Sequence, residues 1–142
     1  MKNLYTTRAT TIAGREGYTE TDDKQLSLNL SKPGSGKVGT NPEQLFACGY
    51  SACFGSAIDA IAKKQNVKVD EIKVEAEVKL NQDDEGGFFI GATLNVTLAG
   101  VDKATAGKLV QAAHQICPYS KATRGNIEVR LQVDSTTLAQ AA

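Results

Sequence analysis

Hydrophobic and polar residues alternate along five stretches of this 142-residue chain, which is typical of β-strands with one buried face. The stretches are residues 4–12, 26–30, 72–80, 88–98 and 127–133. A turn is expected at GREG, residues 14–17, and the acidic segment NQDDEGG between the two longest strands predicts an antiparallel hairpin. The final residues, STTLAQAA, are expected to form a tail.

Two other segments predict helices. The first begins at Asn41, whose side chain can cap it, with Pro42 in the first helical position, and it continues to about Gln65. The second is capped by Asp102 and carries its hydrophobic residues on one stripe. It is expected to end or kink at the cysteine of the segment CPYS, because proline cannot continue a helix.

The first helix is hydrophobic on nearly every side, and such a helix must be covered on every side. The order strands, helix, hairpin, helix, strand predicts an α+β fold, with one-faced antiparallel sheets packed around two helices in a single domain, 1–142. One chain has too few sheets to cover that helix, so we expect an intertwined homodimer in which each subunit covers the other's helix. Small residues on the helix would let another helix approach closely: Gly49, Ala52, Gly55, Ser56 and Ala60.

Charge and composition exclude several classes of partner. The 16 basic and 16 acidic residues cancel, so there is no basic surface to attract nucleic acid. The N-terminus lacks the apolar run of a signal peptide and no stretch approaches a membrane span, so we expect a cytoplasmic protein without membrane partners. His114 is the single histidine and there is no CxxC pair, so no metal site is expected.

The segment GSGKVG, residues 34–39, formally matches the dinucleotide-binding pattern G-x-G-x-x-G. In that motif the third glycine packs inside the helix, whereas here the helix begins only after it, at Asn41. Val38 also stands where a phosphate-binding P-loop needs serine or threonine. A flexible loop is the favoured interpretation, and a non-enzymatic nucleotide-binding module is kept as an alternative.

The three cysteines differ in their surroundings. Cys48 and Cys53 lie five residues apart on one predicted helix, which corresponds to roughly 7.5 Å of rise and about 140° of rotation, so they cannot bridge each other. Any disulfide within the chain must therefore use Cys117. We expect Cys48 to be a small buried hydrophobic residue. Cys117 precedes Pro118, and backbone N–H groups of a following helical turn would favour its thiolate.

CPYS, residues 117–120, also occurs in glutaredoxin-like proteins, but that fold places the motif after its first strand. Here only one predicted strand follows the motif, and no proline after Pro118 could supply the cis-proline of such sites. The topology therefore excludes a glutaredoxin.

Two long segments resemble a known family. NPEQLFACGYSACF (41–54) and HQICPYSKATRGNIEV (114–129) closely resemble the signatures of the organic hydroperoxide resistance proteins, a branch of the osmotically inducible protein C superfamily. The AGREG turn and the chain length are similar too. The resemblance implies a thiol peroxidase that is an obligate homodimer. It also implies two reactive cysteines, here Cys53 and Cys117, with Arg15 and Glu43 as the arginine and glutamate of the site.

The implied chemistry suits these residue types. Cys53 would attack a peroxide as thiolate, become a sulfenic acid and release an alcohol, while Arg15 holds the thiolate and polarises the peroxide. Cys117 would then resolve the sulfenic acid to a Cys53–Cys117 disulfide. No bound cofactor or metal is expected, and the resemblance implies re-reduction by a dihydrolipoyl dithiol on a lipoylated protein. Organic hydroperoxides, including those of fatty acids, are expected because apolar walls are available: Phe46, Phe54, Phe88 and Phe89.

Glu43 would pair with Arg15 and orient it. The alternatives are that Glu43 only complements the helix dipole, that Arg15 is an exposed turn residue, and that Arg124 is the cation. On a continuous helix Glu43 lies roughly 15 Å along the axis from Cys53 of its own chain, too far for one side chain. We therefore expect composite sites in which Glu43 and Arg15 serve the Cys53 of the partner subunit. An alternative function is a thiol redox sensor or disulfide carrier without peroxidase turnover.

Overall fold

A computed structural model describes residues 1–139, which contain seven strands in two sheets, three α-helices and one 3-10 turn. The predicted α+β class is confirmed. By its internal contacts the chain divides into two compact units, Met1–Leu45 and Phe46–Ala142. The single domain and the homodimer stay predictions.

The first unit contains a three-stranded antiparallel sheet formed by β1 (Ala9–Ile12), β2 (Tyr18–Thr21) and β3 (Ser27–Asn29). The strand predicted from residue 4 is therefore too long at its start. The sequence analysis also missed β2, because Thr19, the one residue of that strand that is fully buried, is polar and breaks the hydrophobic pattern.

The turn between β1 and β2 is a 3-10 turn, Gly14–Glu16, with Arg15 in its middle. The turn requires backbone geometry that favours glycine, since Ala13 and Gly14 have φ of 61° and 53°. A Cβ atom at Gly17 would lie 1.7 Å from the carbonyl oxygen of Ile12, so no other residue fits there without a shift of the backbone. This local geometry presents Arg15 at the tip of the β1–β2 hairpin.

The glycine-rich segment is a loop between β3 and the first helix, as the sequence analysis favoured. Gly34 and Gly36 have φ of 79° and 76°, and a Cβ atom at Gly39 would lie 2.9 Å from the backbone of Leu30. Thr40 forms a parallel bridge with Leu30 beside it. These glycines therefore allow turns and a close approach of the chain to its own backbone.

The second sheet has the strand order β4 (Glu71–Gln82), β5 (Phe88–Ala99), β6 (Val129–Val133) and β7 (Thr136–Thr137). The predicted β4–β5 hairpin is confirmed, with twelve paired residues in each strand. The expectation of purely antiparallel sheets is wrong at one junction, because β5 and β6 are parallel and the intervening helices carry the chain back. Thr136 and Thr137 lie in the predicted tail but pair with β6, while residues 140–142 of that tail lie outside the described part.

The helices are α1 (Pro42–Lys64), α2 (Lys103–Ile116) and α3 (Pro118–Thr123). Both predicted caps are confirmed: the side chain of Asn41 accepts a hydrogen bond from the backbone N–H of Gln44 at 2.9 Å, and that of Asp102 accepts one from Thr105 at 2.8 Å. The core of the second unit lies among α1, α2 and the inner face of the sheet. Its fully buried large side chains are Tyr50, Phe54, Ile58, Leu94, Val96, Leu109 and Val110.

One face of α1 is exposed in the single chain and carries small residues, among them Ala52, Ser56 and Ala60. Cys48 lies on the same face, so the expectation that it is buried is wrong for this chain. Within residues 1–139, α1 is the one helix whose length and composition would allow it to cross a membrane. The opposite face of α1 packs in the core, and core helices commonly meet the same criterion.

Candidate active site

The sulfur atoms of Cys53 and Cys117 lie 3.4 Å apart, with the Cys117 thiol donating toward Cys53. Both are free thiols, 64 residues apart in the chain. Cys53 is half-buried on α1, whereas Cys117 is completely buried. A disulfide bond is about 2.05 Å long, so a small movement would let the two sulfurs bond.

Pro118 determines the position of Cys117 between two helices. Proline has no backbone N–H and cannot continue α2, so that helix ends at Ile116 and α3 starts at Pro118. The backbone N–H of Cys117 donates to the carbonyl of Ala113 at 2.9 Å, and its carbonyl accepts from Lys121 at 2.9 Å. Cys117 therefore occupies the C-cap position of α2 and the N-cap position of α3, and its backbone hydrogen bonds to both helices fix it at the corner between them.

The predicted contact between this helix start and Cys117 is wrong, because Cys117 makes no side-chain capping hydrogen bond. The N–H group acts on the other cysteine: a hydrogen bond from the backbone N–H of Tyr119 lowers the pKa of Cys53. Burial has the larger effect and raises the pKa of Cys53, and the hydrogen bond from Cys117 raises it further. The net shift is upward, which disfavours the thiolate of Cys53 in the single chain.

An aromatic cluster surrounds the start of α3. The ring of Tyr119 lies 5.7 Å from that of Tyr50 and 6.0 Å from that of Phe46, measured between centroids. A Cβ atom at Gly49 would come within 2.7 Å of the Tyr119 hydroxyl, so glycine leaves room for this ring against α1. Among the predicted apolar walls, Phe46 and Phe54 belong to this cluster, whereas Phe88 and Phe89 are exposed at the start of β5.

Arg15 and Glu43 form a bidentate ion pair, with guanidinium-to-carboxylate distances of 2.8 and 2.6 Å. The Arg15 hydrogen bonds hold the pKa of Glu43 below its usual value, and Glu43 raises the pKa of Arg15. Glu43 therefore does more than complement the dipole of α1. Arg124, the alternative cation, instead donates to the backbone carbonyl of His114 at 2.6 Å, near the end of α2.

The four predicted site residues thus occur as two pairs. Arg15 and Glu43 belong to the unit Met1–Leu45, and Cys53 and Cys117 belong to the unit Phe46–Ala142. Helix α1 carries both Glu43 and Cys53 and is continuous over Pro42–Lys64. Their assignment to one reaction stays a prediction.

Sequence analysis missed a buried chain of polar groups next to the cysteines. The hydroxyl of Tyr50 lies 2.9 Å from that of Ser120 and 3.1 Å from that of Thr123, and Ser120 lies 2.8 Å from Nδ1 of His114. One signal was available: a tyrosine inside an otherwise small and apolar helix needs a partner for its hydroxyl. Its partners, 70 and more residues away, could not be found from local pattern.

Within residues 1–139, no group of three or more His, Cys, Asp or Glu side chains is arranged to hold a metal ion. Beside the cysteine pair the structure places the backbone N–H of Tyr119 and the hydroxyls of Tyr50, Ser120 and Thr123.

Comparison with known proteins gives one consistent result. The family model of OsmC-like proteins matches residues 34–132. The organic hydroperoxide resistance protein OhrB of Bacillus subtilis (strain 168) is 47% identical over 134 residues, covering 92% of this chain and 98% of that protein. The organic hydroperoxide resistance protein of Xanthomonas axonopodis pv. citri (strain 306) is 48% identical over 135 residues, covering 92% and 94%.

Solved structures agree with the sequence comparison. The crystal structure of Bacillus subtilis OhrB matches with a TM-score of 0.88 at 46% identity, covering 92% of this chain and 99% of that one. A structure described as a putative organic hydroperoxide resistance protein from Vibrio cholerae O1 biovar eltor str. N16961, with captopril in one of its active sites, matches with a TM-score of 0.91 at 44% identity. That match covers 97% of each chain.

Proposed function

This chain belongs to the OsmC-like family and, within it, to the organic hydroperoxide resistance proteins, and on that basis we propose that it is a thiol-dependent peroxidase. It reduces organic hydroperoxides to alcohols through Cys53 and Cys117. The observation that carries this proposal is the 3.4 Å contact between a half-buried thiol and a buried one, 64 residues away in the chain.

The proposed reaction has two steps. The Cys53 thiolate attacks the distal oxygen of the hydroperoxide, the O–O bond breaks, and the alkoxide takes up a proton and leaves as alcohol. Cys53 is then a sulfenic acid. The sulfur of Cys117 attacks it, the S–O bond breaks, and the thiol proton leaves with the hydroxide as water. Two electrons from the two thiols have then reduced one peroxide.

We assign Arg15 as the cation that favours the thiolate of the half-buried Cys53. Its bidentate pair with Glu43 uses two N–H groups, and a guanidinium carries five, so donors remain for a thiolate or a peroxide. Because α1 is continuous, the ten residues from Glu43 to Cys53 correspond to roughly 15 Å of helix. We therefore assign each Arg15–Glu43 pair to the Cys53 of the partner subunit in a homodimer, and the exposed small residues of α1 support such an interface.

We propose the substrate class from the same site and the reductant from the family resemblance. The aromatic cluster beside α3 suits hydroperoxides with an apolar body, including those of fatty acids. The disulfide is re-reduced by a dithiol of the dihydrolipoyl type, carried by a lipoylated protein. The reaction as proposed uses no bound cofactor or metal, and we propose a cytoplasmic location.

A thiol count tests the function directly. We expect an alkyl hydroperoxide added to the reduced protein to remove two thiols per chain, yield one alcohol per peroxide, and be consumed repeatedly once dithiol is supplied. Oxidation without repeated consumption would identify a redox sensor or disulfide carrier instead. Unchanged thiols would contradict the proposal, and nucleotide binding by that protein would favour the binding module.

Arg15→Ala is expected to move the pH dependence of the first oxidation step upward. A cation favours the thiolate, so its removal raises the pKa of Cys53 and the reaction requires higher pH. The measurement is the single-turnover rate of peroxide loss against pH. Arg15→Lys is the control, since it keeps the charge without the bidentate geometry and should shift the profile less. If the pH profiles of the wild type, Arg15→Ala and Arg15→Lys had the same midpoint, Arg15 would not belong to the site.

Cys48→Ala is expected to leave peroxide turnover nearly unchanged. Cys48 is exposed on α1, whereas the thiol of Cys117 contacts Cys53. Turnover and a peptide map of the oxidised protein check this expectation. A Cys48–Cys117 bond as the main product would contradict it.

A further inference from the structure

Helix α1 contacts the start of α3 through two pairs of residues. Tyr50 and Cys53 are three residues apart on α1, which puts them on one side of that helix. Cys117 and Ser120 are likewise three residues apart across the first turn of α3. Tyr50 pairs with Ser120 at 2.9 Å and Cys53 pairs with Cys117 at 3.4 Å, so a hydrogen bond and the reactive contact lie side by side.

The hydroxyl of Tyr50 pairs with those of Ser120 and Thr123, and the hydroxyl of Ser120 pairs with Nδ1 of His114. Thr123 can also donate to the backbone carbonyl of Ser120 at 3.2 Å. When it does, its oxygen accepts from Tyr50, Tyr50 accepts from Ser120, and Ser120 accepts from a protonated Nδ1 of His114.

The hydrogen-bond network is buried at Tyr50, Ser120 and Thr123 and half-buried at His114. Tyr50 and Ser120 have no exposed surface, and within residues 1–139 no buried side-chain nitrogen or oxygen lacks a hydrogen-bond partner. A buried network of this kind tolerates few alternative arrangements, because any shift leaves a polar group unpaired. The network therefore resists sliding of α3 along α1.

We propose that Tyr50 and Ser120 are positioning residues for the disulfide step: their hydrogen bond, backed by Thr123 and His114, holds α3 in the register that places Cys117 against Cys53. This inference rests on the proposed function, because it concerns the step that resolves the oxidised Cys53. The hydroxyls of Tyr50 and Ser120 pair with each other and not with the two sulfurs, so these residues would act by holding α3 in place.

The direct test is the equilibrium between the Cys53–Cys117 disulfide and glutathione, measured on the full chain with Cys48→Ala as background. One oxidised glutathione converts the two thiols to a disulfide and releases two reduced glutathiones, so no peroxide is needed. Tyr50→Phe keeps the ring and removes the hydroxyl, and we expect it to lower the effective concentration of the thiol pair about tenfold. An unchanged equilibrium in folded Tyr50→Phe protein would overturn the proposal.

Thr123 offers a matched pair of variants if Tyr50→Phe fails to fold. Thr123→Ser keeps the hydroxyl that pairs with Tyr50, whereas Thr123→Val keeps the shape of the side chain and removes that hydroxyl. We expect Thr123→Ser to remain within about twofold of the background protein and Thr123→Val to fall about threefold or more. Equal equilibria for the two variants would contradict the proposed register, whatever their thermal stabilities.

A second measurement connects the network to turnover. Cys53 sulfenic acid either forms the disulfide with Cys117 or reacts with a second peroxide to give sulfinic acid. The share that becomes sulfinic acid grows as the concentration of alkyl hydroperoxide rises. We expect Tyr50→Phe to form sulfinic acid at about tenfold lower peroxide than the background protein. Equal shares of sulfinic acid in Tyr50→Phe and in the background protein would count against the inference alone. A background protein that consumes no peroxide would count against the proposed function.

Discussion

Cys53→Ser is expected to abolish hydroperoxide consumption, whereas Cys117→Ser should permit a first oxidation of each Cys53 and then stall at sulfenic or more oxidised states, without turnover. A serine hydroxyl has no accessible oxyanion at neutral pH, so without the Cys53 thiol nothing attacks the O–O bond. Without Cys117 the first step still occurs, but the sulfenic acid has no neighbouring thiol at 3.4 Å and proceeds to sulfinic or sulfonic acid. Peroxide loss per chain, together with the mass of the Cys53 peptide, measures both outcomes.

The two variants also test the order of the cysteines. The buried position of Cys117 and the half-exposed position of Cys53 favour Cys53 as the thiol that meets the substrate. Equal loss of the first step in both variants would remove this assignment. A first step that survives in Cys53→Ser and disappears in Cys117→Ser would reverse it.

Mixing two inactive variants is expected to restore roughly a quarter of the activity. Glu43→Ala lacks the carboxylate that orients Arg15, and Cys53→Ser lacks the nucleophile, so each alone should be nearly inactive. If Glu43 serves the Cys53 of the partner subunit, every mixed dimer has one intact site and one site with both defects. Random re-pairing makes about half of the dimers mixed, which gives roughly a quarter of wild-type activity for independent sites.

Subunit exchange must be verified independently, for example by mass spectrometry of tagged chains. If Glu43 serves its own chain, no mixed dimer contains an intact site and nothing recovers. Verified exchange without recovery would therefore exclude the composite site. Since α1 is continuous over Pro42–Lys64, such a result would leave Glu43 as a charge at the start of the helix.

The ends of the helices could be predicted from the sequence because their causes are local. Asn41 and Asp102 cap their helices through N–H groups only three residues away, and Pro118 stops α2 through its own missing N–H. The β4–β5 hairpin was predictable for a similar reason, since its two alternating strands are neighbours joined by a short polar turn. In each case the signal and the structure lie within a few residues.

The sheet beyond the hairpin could not be predicted in this way. β2 buries a threonine in place of a hydrophobic residue, and β7 is a two-residue strand that exists because β6 offers it an open edge. The parallel pairing of β5 with β6 depends on where α2 and α3 return the chain. Such pairings are decided by packing of distant segments, which a local pattern of polar and hydrophobic residues does not contain.

The features of the site also divide into those that the sequence determines and those that only the packing of distant segments decides. By itself the sequence determined which residue types are present for the chemistry, Cys53 and Cys117 among them, and the corner at Pro118. Only the tertiary structure decided that the two sulfurs lie 3.4 Å apart, that the Tyr119 N–H serves Cys53, and that Tyr50 finds Ser120. The physical reason is distance along the chain: capping and proline effects act within one helical turn, whereas these contacts join groups more than 60 residues apart and form only when α1, α2 and α3 pack together.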